Sequence, residues 1–156
     1  MDIGVPGGFG DSEGRRERMA VLAQADGHEL QRLWADTGLD PECEIVRGPE
    51  TGLVVLRGRI GGGGAPFNFG EATVTRATVR MGNGAVGHSI MLGRDRAKAK
   101  LAAVIDALGQ DEAGAALVDE AIIGPLRQAQ SERDNRRQAE TAATKVDFFT
   151  MVRGED

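Results

Sequence analysis

The chain contains no tyrosine, one tryptophan and one cysteine in 156 residues, and aromatic side chains are only 4% of it. A lone thiol cannot close an internal disulfide, and it offers no thiolate set for zinc or an iron-sulfur centre. The scarce rings match no RNA-recognition pattern, so no nucleic-acid partner is expected. No stretch of about 18 apolar residues occurs, and the N-terminus lacks the basic region and apolar core of an export signal. Neither membrane spanning nor export is indicated, and the cytoplasm is the expected compartment.

What the sequence does contain is glycine, 23 residues of it, against a usual share of about 7%. The backbone must make unusual turns somewhere. Net charge is −5, unevenly distributed. From Ile45 to Lys100 nine bases face three acids (+6), while the remainder holds ten bases and twenty-one acids (−11). A basic middle in an acidic chain attracts phosphate groups, nucleic acid or an acidic protein surface, and charge alone does not choose among them.

Periodicity predicts an α+β fold: N-terminal helices, a central antiparallel β-meander or hairpin, then C-terminal helices with a terminal extended segment. Residues 1–11, rich in glycine, read as a mobile tail. Met19, Leu22 and Ala23 mark a helix from Ser12 to Gln24, and Asp26 with Glu29 opens a second that ends at Gly38. Cys43 to Arg47 and Leu53 to Ile60 lean toward strand, and the Gly48-Pro49-Glu50-Thr51-Gly52 sequence between them predicts a turn joining a strand pair. Ala72 to Arg80, Gly82-Asn83-Gly84 and the following AVGHSIML predict a hairpin. Gly93 to Gln110 returns to helical period, Asp111 to Ile123 forms a further helix, and Pro125 is expected to break it and open the next one.

Residues 12–124 thus form the expected domain, and 125–156 a polar helical arm. From Arg127 to Lys145, nineteen residues include no Val, Ile, Leu, Met, Phe or Trp. Arg133, Arg136 and Arg137, interleaved with acids, read as a solvated helix face. In the terminal VDFFTMVRGED, Val146, Phe148, Phe149, Met151 and Val152 make an extended segment apolar on both sides. It either docks on a partner or folds back onto the parent sheet.

The chemistry-bearing candidate is RGRIGGGGAPFNFGEATVTR, Arg57 to Arg76. Gly61, Gly62, Gly63 and Gly64 carry no Cβ, so their amides can converge on an anion, with Arg57, Arg59 and Arg76 to neutralise it. The competing reading is a glycine turn between strands. Phe67 and Phe69 would anchor the loop by burying their rings, with Asn68 bonding locally, and Glu71 would pair with Arg76 or Arg59. The loop has neither Walker nor dinucleotide-binding spacing. His28, His88 and Cys43 have no catalytic company in sequence, so neither a catalytic residue nor a metal ligand is assigned.

Those same residues resemble a known family. RGPETGLVVLRGR at 47–59, the glycine-rich string above, GHSIMLGRDRAKAKLAAVIDAL at 87–108, RERMAVLAQA at 16–25 and the terminal VDFFTMVRGE are similar to PhnG, a subunit of the bacterial carbon-phosphorus lyase core complex. The resemblance implies assembly with PhnH, PhnI and PhnJ. With PhnI, PhnH and the ATPase-like PhnL, it implies support for transferring an alkylphosphonate onto ribose C1 of ATP with release of adenine. It implies no cofactor on this chain: ATP and phosphonate are substrates of the complex, and the iron-sulfur cluster and S-adenosylmethionine belong to PhnJ. On this reading the glycine loop with Arg57, Arg59 and Arg76 either contacts a phosphate-bearing ligand or packs against PhnI. The alternative is a stand-alone, non-catalytic phosphate-binding module.

Overall fold

The computed structural model describes residues 12–61 and 63–143. The N-terminal tail, Gly62 and the terminal apolar segment lie outside them. Helices α1 (Ser12–Gln24) and α2 (Gly27–Thr37) precede strands β1 (Cys43–Gly58), β2 (Phe67–Met81) and β3 (Val86–Leu92). Helices α3 (Arg96–Leu108) and α4 (Glu112–Val118), a π turn at Asp119–Ile123 and α5 (Gly124–Ala143) follow. The strands pair antiparallel in the order β1-β2-β3, so the fold is α+β with helices at both ends. No described helix is long and apolar enough to cross a membrane.

The helix starts follow from side-chain chemistry. Asp26 accepts the backbone N–H groups of His28 and Glu29 at 2.9 and 3.0 Å, Asp95 that of Lys98 at 2.8 Å, and Asp111 that of Gly114 at 2.7 Å. Each aspartate satisfies donors that the first helical turn leaves without partners. The hairpin also forms as the sequence predicts: Met81 N–H bonds Ala85 O, and Gly84 takes φ +88° at the bend.

α3 is the middle layer. Ala99, Ala103, Val104 and Ala107 pack against Ala77, Val79 and Met81 of the sheet. Ala102 and Ile105 face a second core with Val21, Leu22, Leu30, Leu33, Val118, Ile122, Ile123 and Leu126. Small side chains let α3 lie close to β3, and Gly87 sets the limit. A Cβ there would run into the Ala103 carbonyl and stand 2.6 Å from the Ala107 nitrogen. Ser89 donates to Ala99 O at 2.6 Å in the same interface.

A carboxylate ties the layers laterally. Asp106 of α3, buried, accepts Arg15 Nε and Nη2 at 2.8 and 2.7 Å and His88 N–H at 2.8 Å. This joins α1, α3 and β3 through charge-assisted bonds, one of them bidentate. Lys98 donates its ammonium to Ala23 O at the end of α1 at 2.9 Å, and burial holds its pKa below the usual lysine value.

Two expectations are corrected. Residues 48–52 do not turn the chain: β1 runs through them as one strand, with register shifts between Ile45 and Arg47 and between Arg47 and Glu50. Turn chemistry is taken up as an irregular bulge. Gly48 has φ +70°, and a Cβ there would meet Arg76 O at 2.6 Å. Glu50 closes the bulge by accepting Arg47 Nε and Arg76 Nε on one oxygen at 2.8 and 2.7 Å, and these two arginines hold its carboxyl below the usual range. Pro125 does stand at the opening of a new element, as the second residue of α5, but the helical path is not broken there. Gly124 remains helical, its N–H reaching Asp119 O, and the wider π turn accommodates the proline ring that a regular turn would exclude. The first half of α5 belongs to the domain: Leu126 is fully buried, Gln130 donates to Val21 O at 2.8 Å, and Arg127 and Arg133 pair with Glu17 and Glu29. Only from Ser131 to Ala143 is every residue exposed.

Gly87→Ala should lower stability by about 1–3 kcal/mol or more through overpacking, read as a fall in urea midpoint; an unchanged midpoint would contradict the close α3–β3 approach. Asp106→Ala, which leaves the His88 N–H without its acceptor and releases the half-exposed Arg15 to water, should cost about 1–3 kcal/mol in the same assay. Glu50 stabilises the folded state fully above the ordinary glutamate pKa of about 4.3 and loses that contribution as pH falls through its lowered folded value. Wild type should therefore lose its advantage over Glu50→Gln on acidification, measured as the gap between their urea midpoints from pH 7 downward; a gap independent of pH would refute the assignment.

Candidate functional site

β1 and β2 are longer than β3. The last β2–β3 pairing is Val74 with Leu92, whereas β1–β2 pairing continues to Gly58 with Phe67. Residues 53–58 and 67–72 consequently form a two-stranded ribbon that runs beyond β3 and ends in the glycine-rich loop. Within it Arg57 stands opposite Asn68, and Glu71 opposite Val55.

The loop bonds largely to itself. Gly63 N–H bonds Gly61 O at 2.9 Å, Gly64 N–H bonds Ile60 O at 3.3 Å, and Arg59 Nη1 reaches Gly64 O at 3.5 Å. Gly61 takes φ +65°, a conformation that suits glycine. The Gly63 and Gly64 amides are therefore engaged with loop carbonyls rather than converging on an outside point.

Arg76 is not in this group. It lies eight residues along β2 from Asn68, roughly 27 Å at ~3.4 Å per residue, and is held by Glu50. The three-arginine cluster expected from sequence does not form. Glu71 pairs with neither Arg76 nor Arg59 and makes no ion pair among the described residues. Arg57 and Arg59 likewise make none, leaving the ribbon tip cationic.

The two rings expected to be buried are not. Phe67 and Phe69 contact each other at 6.2 Å with planes tilted 58°, and both are exposed, Phe69 at 59%. The ribbon runs on past the end of β3, and no described residue buries them. Gly58 makes room for the Phe69 ring, whose atoms would stand 3.1 Å from a Cβ there. Leu53 (65% exposed), Val55 (54%), Leu56 (36%) and Ile60 (75%) are uncovered too. So many large apolar side chains in one element mark an interaction surface. The sequence reading placed docking in the terminal segment and, as one alternative, at the glycine loop, and missed the apolar strands that carry the loop, though a signal was there: LVVL at Leu53 to Leu56 is continuously apolar, and a strand with one wet face alternates instead.

The remaining candidates are structural. His88 Nδ1 lies 3.2 Å from Thr78 Oγ1 on the open sheet face. Cys43 is half-buried and lines a shallow groove of about 260 Å³ with Trp34, Leu101 and Val104. Among the described residues no group of three or more His, Cys, Asp or Glu could hold a metal, and no buried side-chain polar atom lacks a hydrogen-bond partner.

Comparison with known proteins fits a chain built around such an uncovered element. The family described as "Phosphonate metabolism protein PhnG" matches residues 13–154. A protein of Rhizobium meliloti (strain 1021), named alpha-D-ribose 1-methylphosphonate 5-triphosphate synthase subunit PhnG, is 56% identical over 142 residues, covering 91% of this chain and 90% of the relative. With a match of this extent across both the ribbon and the helical layers, the chain belongs to the PhnG family of phosphonate metabolism proteins.

Proposed function

We propose that this chain is a non-catalytic subunit of the carbon-phosphorus lyase core complex, completing a ribose 1-methylphosphonate 5-triphosphate synthase. The observation that carries this reading is the ribbon's uncovered apolar surface, which a solitary protein would bury and a subunit keeps for its neighbours. The name of the Rhizobium relative supports the same role. Its partners are PhnH, PhnI and PhnJ, with PhnL acting alongside, and its compartment is the cytoplasm, where ATP is held. The substrates of the assembled enzyme are ATP and an alkylphosphonate; the iron-sulfur cluster and S-adenosylmethionine reside on PhnJ.

The glycine loop serves as a packing wedge on this reading, because the amides of Gly63 and Gly64 are already bonded within the loop. Arg57 and Arg59 then meet acidic groups of a sibling rather than substrate phosphate. The terminal segment with Val146, Phe148, Phe149, Met151 and Val152 is a second docking element, reached by the exposed half of α5.

Co-expression with PhnH, PhnI, PhnJ and PhnL tests the proposal. The chain should co-purify with its siblings, and omitting it should lower adenine release from ATP and methylphosphonate at least ten-fold, while the chain alone releases none. A stable monomer that ignores the siblings, and is stabilised instead by phosphate ligands, would favour a stand-alone anion-binding module. A chain ending at Ala143 keeps the described core and should lose affinity for the complex; full association without residues 144–156 would remove the terminal segment from docking.

A further inference from the structure

The ribbon is apolar on both sides. Val54 lies opposite Ala72 and Leu56 opposite Gly70; the alternate pairs are Leu53 with Thr73 and Val55 with Glu71. Successive residues of a strand point to opposite faces, so Leu53 and Val55 continue the helix-facing side of the sheet, the side of buried Thr75. Val54 and Leu56 continue the other side, which carries Arg76, Ile90 and Leu92. Leu53 and Val55 are well exposed and Leu56 just so; water therefore reaches apolar groups on both faces.

The backbone is open as well. Among the described residues β1 is an edge strand along its length, and β2 has no outer neighbour before Thr73, whose carbonyl takes the Gly93 N–H at 2.9 Å. Free strand edges accept a further strand. At the far end Arg57 and Arg59 make no ion pair with a described residue, and Ile60, Phe67 and Phe69 add exposed apolar area beside them.

We infer that residues 53–60 and 67–72 insert as a plug into a cleft of a different polypeptide, with apolar walls against both faces and acidic side chains at its floor. Flat docking would leave one apolar face wet. A second copy of this chain pairing edge to edge would satisfy the backbone but cover neither face. The unmatched Arg57 and Arg59 set the charge of the floor, because desolvated guanidinium groups require acidic partners. The inference rests on the subunit reading above and specifies which element enters the partner and what receives it.

The test uses the full chain co-expressed with the sibling subunits, one sibling carrying the affinity tag. Three variants address the plug: Leu53→Glu with Val55→Glu on one face, Leu56→Glu on the other, and Arg57→Glu with Arg59→Glu at the tip. Leu53→Thr with Val55→Thr repeats the first while keeping strand propensity, and Arg137→Glu on exposed α5 is the control. Recovery of the chain with the tagged sibling should fall at least ten-fold for each face variant and for the threonine pair, and stay normal for the control. Wild-type association should weaken as salt rises, and the tip variant should lose that salt dependence. Loss from one face only would overturn the cleft in favour of a flat surface. A stable homodimer of the isolated chain, abolished by the face variants, would assign the ribbon to a second copy and overturn the proposal. If wild type assembles and every ribbon variant does too, the plug is refuted while the subunit reading stands. If wild type itself does not co-purify, the subunit reading fails and the plug with it.

Discussion

The direct contact between α3 and β3 is the constraint on which the rest of the domain depends. Gly87 and the alanines of α3 let a helix backbone rest against a strand backbone, so that one helix closes the sheet core on one side and the helical core on the other. Asp106 then fixes the angle of this stack, since its two oxygens hold Arg15 of α1 and the His88 N–H of β3 together. Loss of either feature would separate layers whose apolar surfaces are individually small. A core built mostly from Ala, Val and Leu has little bulk with which to tolerate misalignment.

Much of this was legible from residue order. The β2–β3 hairpin is written in alternating Thr and Val around Gly82-Asn83-Gly84, and α3 in apolar residues at helical spacing, because local propensity and tertiary environment agree there. β1 was harder. Residues 48–52 carry the chemistry of a turn, and only the opposite strand, with Arg76 bonding Glu50 across the gap, keeps the chain extended. Pro125 misled for a similar reason: the packing of Val118, Ile122, Ile123 and Leu126 into one core holds the helix together through a π turn that isolated propensity would not choose. The arginine cluster failed on distance. Arg76 is near the glycine loop in numbering if the intervening chain bends, but an extended strand carries it away.

The candidate site differs in kind from a catalytic centre. Its chemistry lies in uncovered side chains and unpaired strand edges, and the two cationic groups at its tip have no counter-charge among the described residues. Sequence reasoning looks for clustered nucleophiles, ligands and phosphate loops, and a docking ribbon presents none of these. Its trace is instead an alternation that is missing where one would be expected. The PhnG match supplies the setting in which such a trace makes sense, because the Rhizobium relative is named as a subunit of a synthase, and a subunit need not finish its own surface.

A ribbon that is apolar on both faces and open along its edges also bears on how the cell must produce this protein. Copies made in excess of their receptacle would present adhesive strand edges to one another and to unrelated nascent chains. Dosage matters as much as folding for such a polypeptide, and selection should favour its translation in step with, and close to, the chain that receives it.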